Sequence, residues 1–407
     1  MKLSKRISSV AESATIATAA RTAQMRGEGI DVVDFGAGEP DFDTPQFIKD
    51  AAIAALQAGD TKYTPQAGKA LQAAIAKKLA AENDIHVKPD QVIVAFGGKN
   101  ALYLACEVLI DPADKVLIPG PYWISYPEMV KLAGGKPVIL PTSLDDGFKV
   151  SPQQILDQAK GAKILILNSP SNPTGVTYRP EELAAIAEAV LKTDLIVFSD
   201  EIYEKLVYGG VKFVSFASLD NRLPERTITF NGLSKTYSMT GWRLGWAAGP
   251  KEPIAAMAKL MSQATTNAVS FAQAGALEAY GSPKAQATIE AMRKEFEKRG
   301  RRMAKRLNAI DGVECVEPAG AFYCFPDVSS HYGRKLGGIA VKDSASFARA
   351  ALESARVVLV AGAAFGEDRC VRLSFATSTE QIDKGLDRLE KLLGQARAPQ
   401  RGGGPAR

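Results

Sequence analysis

The chain is poor in the residues that build metal centres and covalent frameworks. Its 407 residues hold four cysteines and two histidines. Cys106, Cys315, Cys324 and Cys370 have no CxxC spacing, and only His86 and His331 could join them as soft ligands. Neither a zinc site nor a disulfide framework is expected; buried free thiols in a reducing compartment are. No apolar run approaches the ~20 residues that cross a bilayer. The start carries Lys2, Lys5 and Arg6, but Glu12 and several Ser and Thr interrupt the stretch after them, so no signal peptide is expected. No GxGxxG follows an expected strand, which leaves out the dinucleotide fingerprint, and no internal repeat is visible. Charge of one sign is lacking too. Lys and Arg number 50 against 45 Asp and Glu, a net +5. Arg397, Arg401 and Arg407 lie in the closing segment QARAPQRGGGPAR, which holds no acid, so the rest of the chain is nearly balanced. Nucleic acid is therefore not an expected partner.

The composition is otherwise ordinary for a large soluble enzyme. Hydrophobic residues make up 46% and charged residues 23%, and the length suggests two or three domains. Thr44 and Pro45 open an amphipathic run that stops at Gly59, with proline expected at the first helical position. Short apolar runs come next: QVIVAF (91–96), KVLIP (115–119), AKILIL (162–167), LIVFS (195–199), TITF (227–230) and LGWAAG (244–249). Helical patterns, such as 99–109, 180–192 and 253–264, separate them. Strands apolar on both faces and alternating with helices predict a mainly parallel sheet covered on both sides. From about 284 one long charged helix with a narrow apolar stripe leads into shorter strands (GVECV, AFYCF, RVVLV, CVRLSF), with helices near 343–355 and 379–393. These predict a second, smaller α/β domain.

In such a sheet ligands bind beyond the carboxyl ends of the strands. Gly97, Gly98 and Lys99 follow QVIVAF at the start of a helix, where free N–H groups suit a phosphate. Asn168 to Gly175 (NSPSNPTG) follows AKILIL and presents Asn172. Asp200, Glu201, Ile202 and Tyr203 follow LIVFS. Gly232, Leu233, Ser234 and Lys235 follow TITF, with Gly241, Trp242 and Arg243 close behind. Asp200 alone reads as a helix cap and Lys235 alone as a solvated lysine. Four polar loops at the strand ends of one sheet read as a site.

GLSKTYSMTGWRLG (232–245) resembles the lysine motif of class I aminotransferases, enzymes of fold type I that use pyridoxal 5'-phosphate. NSPSNPTG, SDEIYE and VRLSFATS (371–378) match that family in order and spacing. GAGEPDFDTP (36–45), TKYTPQAG (61–68) and PYWISYPEM (121–129) resemble its bacterial beta subgroup, which contains aspartate and prephenate aminotransferases. The resemblance spans roughly residues 3–394. It implies an α/β fold: a large cofactor domain over 45–290 with a mainly parallel seven-stranded sheet, and a small domain over 291–394. Residues 1–44 would form an arm and a segment joining the small domain, and 395–407 a disordered tail. The implied cofactor is pyridoxal phosphate, which supplies the electron sink while the protein orients it. Lys235 would bind its aldehyde and later act as the base, Asp200 would face the pyridine nitrogen, and Asn172 and Tyr203 would reach the phenolic oxygen. Trp123 would stack on the ring. Gly98, Lys99, Ser234 and Arg243 would hold the phosphate, with Tyr63 contributed by the partner of a homodimer. Some relatives carry serine at the position of Gly232. Arg372 would grip the substrate α-carboxylate bidentately, with Gly38 closing on it and Trp123 and Asn172 also lining the substrate.

The same resemblance bears on the substrate. Lys99 stands at the position that takes a distal carboxylate, and Ser13, Ala14 and Thr15 stand where a segment covers the substrate. Prephenate-active relatives commonly read Lys-Pro-Ser-Ala-Thr where this chain has Glu12-Ser13-Ala14-Thr15, an acid in place of a base near a dianionic substrate, which favours aspartate with 2-oxoglutarate over prephenate and leaves aromatic amino acids as secondary substrates. The expected place is the cytoplasm, with no metal and no membrane. Two competing readings are carbon–sulfur lysis on the same cofactor and a non-enzymatic effector module of a transcription regulator. For the latter, the roughly thirty residues before DFGAGEP are too few for a DNA-binding domain.

Overall fold

The computed structural model describes residues 3–4, 6–10, 14–64 and 68–394, with no side-chain description for Ser9 or for 14–19. The residues form two compact units. Of the described residues, the larger holds those from 39 to 297, 319–321 and those before 11; the smaller holds 14–38, 298–318 and 322–394.

The larger unit is built on seven strands: β1 (Val92–Ala95), β2 (Lys115–Pro119), β3 (Lys136–Leu140), β4 (Ala162–Asn168), β5 (Ile196–Asp200), β6 (Thr227–Gly232) and β7 (Gly245–Ala248). They lie in the order β1-β7-β6-β5-β4-β2-β3. Only β7 pairs antiparallel, to β1 and to β6; the pairs β2–β3, β2–β4, β4–β5 and β5–β6 are parallel. The sheet is thus mainly parallel, as the apolar runs predict.

Strand alternation sends successive side chains to opposite faces, and both faces are filled. Ile93, Ile118, Ile166, Phe198 and Phe230 pack with Leu102 and Ala105 of the helix Gly98–Leu109. Opposite them, Val92, Val94 and Trp246 pack on Leu71, Ile75 and Leu79 of the helix Lys69–Glu82. Farther along that face Leu165, Leu167 and Val197 meet Leu183, Ile186 and Val190. Burial on both sides is why these strands read as continuous apolar runs.

Three details depart from the sequence expectations. The edge strand β3 was not among the expected runs: Lys136 is exposed and Pro137 sits inside it, paired with Val116. Proline survives there because an edge strand needs no N–H on its open side. GVECV makes only an isolated bridge, Glu314 to Asp327. Pro45 is the N-cap of the helix Gln46–Gln57 rather than its first residue, a shift within the usual spread of helix boundaries.

The long helix runs from Ala285 to Leu307, and Ile289, Met292, Phe296, Met303 and Leu307 form its buried stripe. In the smaller unit Val371–Ser374 is the middle strand of an antiparallel sheet with Val360–Ala361 and Tyr323–Cys324. Val33–Asp34 pairs in parallel with Val357–Val358. The helix Thr379–Gly394 packs on these strands through Ile382, Leu386 and Leu389.

Candidate active site

Because β1, β4, β5 and β6 run the same way, their carboxyl ends share one edge of the sheet. That edge carries Gly98 and Lys99, Asn172, Asp200 and Tyr203, and Ser234 and Lys235. β7 runs in the opposite sense, so the residues just before it, Arg243 among them, reach the same edge. Register makes the neighbourhood tight: Asn168 lies beside Asp200, and Gly232 beside Gly245.

Asp200 is the last residue of β5 and only 5% exposed. Tyr126 donates its hydroxyl to Oδ2 at 2.6 Å, and the Ile202 amide donates to Oδ1 at 3.2 Å. Burial pushes this carboxyl up to about 6, against the pull of Tyr126, the Ile202 amide and the Lys235 ammonium. Lys235 is thus close enough for its charge to act on Asp200. The same burial, with the Asp200 charge, pushes the Tyr126 phenol well above its ordinary range and keeps it a donor.

The loop after β4 is organised by Asn168, whose Oδ1 accepts the Asn172 amide at 3.0 Å while its Nδ2 donates to the Asp200 carbonyl at 3.0 Å. One amide side chain therefore ties the Asn172 loop to the end of β5.

Arg243 has a left-handed backbone, φ 54°, and donates to the carbonyls of Thr240 at 2.8 Å and Phe96 at 3.4 Å. Its guanidinium lies against Gly97, where an added Cβ would stand 2.8 Å from Nη2. A Cβ on Gly245 would overlap the backbone of Gly97 and Gly98. Glycine is needed at both, Gly97 also for its φ of 84°, and the result is a helix N-terminus packed directly on Gly245 with a cation beside it. Gly232 is explained in the same way. A Cβ there would stand 2.9 Å from the Gly245 Cα and 3.0 Å from the Leu244 carbonyl, so a serine at this position needs β7 to move. Ser234 is buried in the same loop.

Lys99 holds its ammonium 4.8 Å from the Trp123 ring centre. Partial burial and the charge of Arg243 lower its pKa. Trp123 in turn meets Tyr126 edge to face at 5.3 Å. Arg243, Gly97, Lys99, Trp123, Tyr126 and Asp200 thus lie along one edge of the larger unit. Tyr63, by contrast, projects from the surface, 79% exposed. It lines a hollow of about 360 Å³ with Thr61, Lys62, Asn267, Val269 and Phe271.

Arg372 and Gly38 belong to the smaller unit. Arg372 is 6% exposed, not a solvated strand end. Its guanidinium lies 4.5 Å from the Tyr323 ring and 5.0 Å from Phe365, and Nη2 donates to the Gly36 carbonyl at 3.0 Å. Gly38 adjoins the Tyr323 hydroxyl, which would stand 3.7 Å from an added Cβ. Glu12 and Ser13, the side chains of Ala14 and Thr15, and the tail after 394 lie outside the described residues.

Sequence reasoning missed Tyr126, Asn168 and Gly245. Each falls inside a quoted motif, three residues after Trp123, at the head of NSPSNPTG and at the end of GLSKTYSMTGWRLG, but a partner across the sheet decides its role. Among the described residues no cluster of His, Cys, Asp and Glu could hold a metal ion, and no helix is long and apolar enough to cross a membrane.

Comparison with known proteins agrees with this geometry. The chain is 47% identical over 401 residues to an aspartate aminotransferase of Geobacillus stearothermophilus, covering 98% of this chain and 100% of that one. It is 44% identical to a probable aspartate/prephenate aminotransferase of Aquifex aeolicus, covering 96% and 98% respectively. The crystal structure of the aspartate aminotransferase from Rhizobium meliloti superposes with a TM-score of 0.93 at 38% identity, over 98% of this chain and all of that one. Residues 30–389 match the family model for aminotransferases of class I and II. With fold, strand-end residues and sequence in agreement, the chain belongs to the class I and II aminotransferases, with the fold type I architecture.

Proposed function

We propose that this protein is a pyridoxal phosphate-dependent aspartate aminotransferase, moving the amino group of L-aspartate to 2-oxoglutarate in two half-reactions. The observation that carries the reading is Asp200: a buried carboxylate at the sheet edge, fixed by Tyr126 and within the electrostatic reach of Lys235. Such a group needs a cation opposite it, and a protonated pyridine ring is one. The N-terminus of the helix Gly98–Leu109, with the Arg243 guanidinium against Gly97, offers backbone donors and a cation suited to a phosphate. The residues therefore fit the cofactor, which supplies an aldehyde and an electron-accepting ring when bound.

In this reading Lys235 would hold the cofactor by its aldehyde, and its Nζ, when free, would take the proton from the substrate Cα. Lys235 is half-buried, with Arg243 in the same loop. Asp200 would keep the ring nitrogen charged, Asn172 and Tyr203 would hydrogen-bond the phenolic oxygen, and Trp123 would cover the ring. Gly98, Lys99, Ser234 and Arg243 would hold the phosphate, with Tyr63 contributed by a second subunit. Arg372 takes the α-carboxylate with Gly38 beside it, and Lys99 takes the distal one. The names of the relatives and the Lys99 ammonium beside Trp123 support a dicarboxylate donor.

A homodimer is supported by an exposed apolar hollow of about 610 Å³ lined by Ile53, Leu56, Trp242, Val269 and Phe271, with Arg243 on its wall. Four buried free thiols support a cytoplasmic location. The second reading, a prephenate or aromatic aminotransferase with the same residues, is favoured by the Aquifex relative's name.

Two experiments test the proposal. Borohydride-treated holoprotein should carry the cofactor on Lys235 by mass spectrometry, and Lys235→Ala should lose turnover by at least about a thousandfold. Initial rates with aspartate, glutamate, tyrosine and prephenate should rank aspartate first in kcat/KM. An adduct elsewhere overturns the mechanism, and prephenate leading overturns the substrate.

A further inference from the structure

Behind the site lies a second buried polar cluster that the chemistry above does not use. Ser199 and Asp200 are consecutive on β5 and so face opposite sides of the sheet. On the side away from Tyr126, Glu201 is 2% exposed. Its Oε1 accepts the Ser199 hydroxyl at 2.9 Å and the Phe216 amide at 3.1 Å, and its Oε2 accepts the Ser215 hydroxyl at 2.7 Å. The Asn83 amide donates to Ser215 Oγ at 2.7 Å and to Glu204 Oε2 at 2.8 Å. The Lys78 ammonium donates to Asn83 Oδ1 at 2.6 Å and pairs with Glu204 Oε1. Glu82 and Lys205 close the outer end, 2.7 Å apart. Lys78, Asn83, Glu201, Glu204 and Ser215 are all buried.

The cluster has a regular relation to the site. Asp200 and Tyr203 are the site residues of the turn that follows β5, and Glu201 and Glu204 are the residues immediately after each. The turn is short, with the Glu204 amide bonded to the Glu201 carbonyl at 2.9 Å and the Leu206 amide to the Tyr203 carbonyl at 2.8 Å. One side of it therefore points at the site, and the other is locked to the helix Lys69–Glu82 and to the 215–216 loop. Buried ion pairs are weak stabilisers compared with apolar packing. What a satisfied network does well is to fix one geometry. Three donors on one carboxylate and two on the other leave the turn little freedom.

We propose that Glu201 and Glu204 are positioning residues for the transamination: anchored by Ser199, Ser215, Asn83 and Lys78, they hold the turn so that Asp200 and Tyr203 meet the cofactor ring in a single geometry. The inference rests on the function proposed above. An error of about one ångström in a positioned group can cost roughly a hundredfold in rate, so a partial loosening is expected to cost about tenfold.

The test uses the full-length protein reconstituted with pyridoxal phosphate and the variants Glu201→Gln and Ser215→Ala. Leu389→Ala, a cavity under the helix Thr379–Gly394 of the smaller unit, serves as the stability control. Melting temperature, the Kd for pyridoxal phosphate, the pH midpoint of the bound cofactor's visible absorbance, and kcat and KM for aspartate are measured. Both variants should shift the midpoint by about half a pH unit or more and weaken cofactor binding severalfold. They should lower kcat about tenfold with KM held within about twofold. Leu389→Ala should lose melting temperature while keeping midpoint and kcat. Variants whose midpoint, Kd and kcat all stay at wild-type values overturn the proposal, whatever their melting temperature; if Glu201→Gln does not fold, Ser215→Ala decides by the same criterion. Wild-type protein without an adduct on Lys235 removes the function and this inference together. A wild-type adduct with unmoved variants removes this inference alone.

Discussion

Two adjacent carboxyls, Asp200 and Glu201, are both pushed up by burial, to about 6 and about 7. In the unfolded chain they titrate near 3.8 and 4.5. Between roughly pH 4 and 7 these two groups therefore hold more protons in the folded apoprotein than in the unfolded chain, and their contribution to stability falls as pH rises through that window. The part contributed by these groups is fully present below their unfolded values and lost above about 7. Each full proton is worth about 1.4 kcal/mol per pH unit. Urea titrations of the apoprotein at pH 5, 6 and 7 should show a shallower decline for Glu201→Gln than for wild type, by up to about one proton. Equal slopes would show that Glu201 is ionised throughout. At this scale the sequence names Asp200 from the motif and the strand-end rule. It does not name Tyr126, because the 2.6 Å bond joins residues 74 positions apart, and only folding brings them together.

Elements were legible where local pattern and tertiary context agree. The six apolar runs are strands because both sheet faces are covered, and the long helix shows its stripe in the spacing of Ile289, Met292, Phe296 and Met303. The edge strand β3 was hidden by Pro137, which only an edge position tolerates. GVECV has the alternation of a strand but finds a single bridge partner. Capping is the most local of these signals. Asp343 caps the helix Ser344–Ala350, accepting the Ser346 amide at 2.8 Å, while the Asp343 amide donates to Ser346 Oγ at 3.1 Å. Asp343→Ala should cost about 1 kcal/mol and Asp343→Asn only a few tenths, read as a shift in the denaturant midpoint at constant slope.

At the scale of the molecule, the apolar hollow at Ile53 and Leu56, half-exposed at 50% and 48%, leaves large hydrophobic side chains for a partner to cover. If a second copy covers it, Ile53→Asp with Leu56→Asp should raise the dimer dissociation constant at least about a hundredfold. The cofactor should be held more weakly as well, since Tyr63 would no longer reach the neighbouring phosphate. Light scattering across a dilution series and cofactor retention on gel filtration check both; an unchanged dimer mass removes this hollow as the interface. The sequence by itself determined the class of fold, the order of the strands along the chain and the residue types at the strand ends, because those depend on periodicity, turn chemistry and motif spacing. Tertiary structure decided which loops share an edge, which glycines touch which backbone, and how Glu201 and Glu204 are held behind Asp200. Those depend on strand order and on contacts between residues far apart in the chain, which no local pattern encodes.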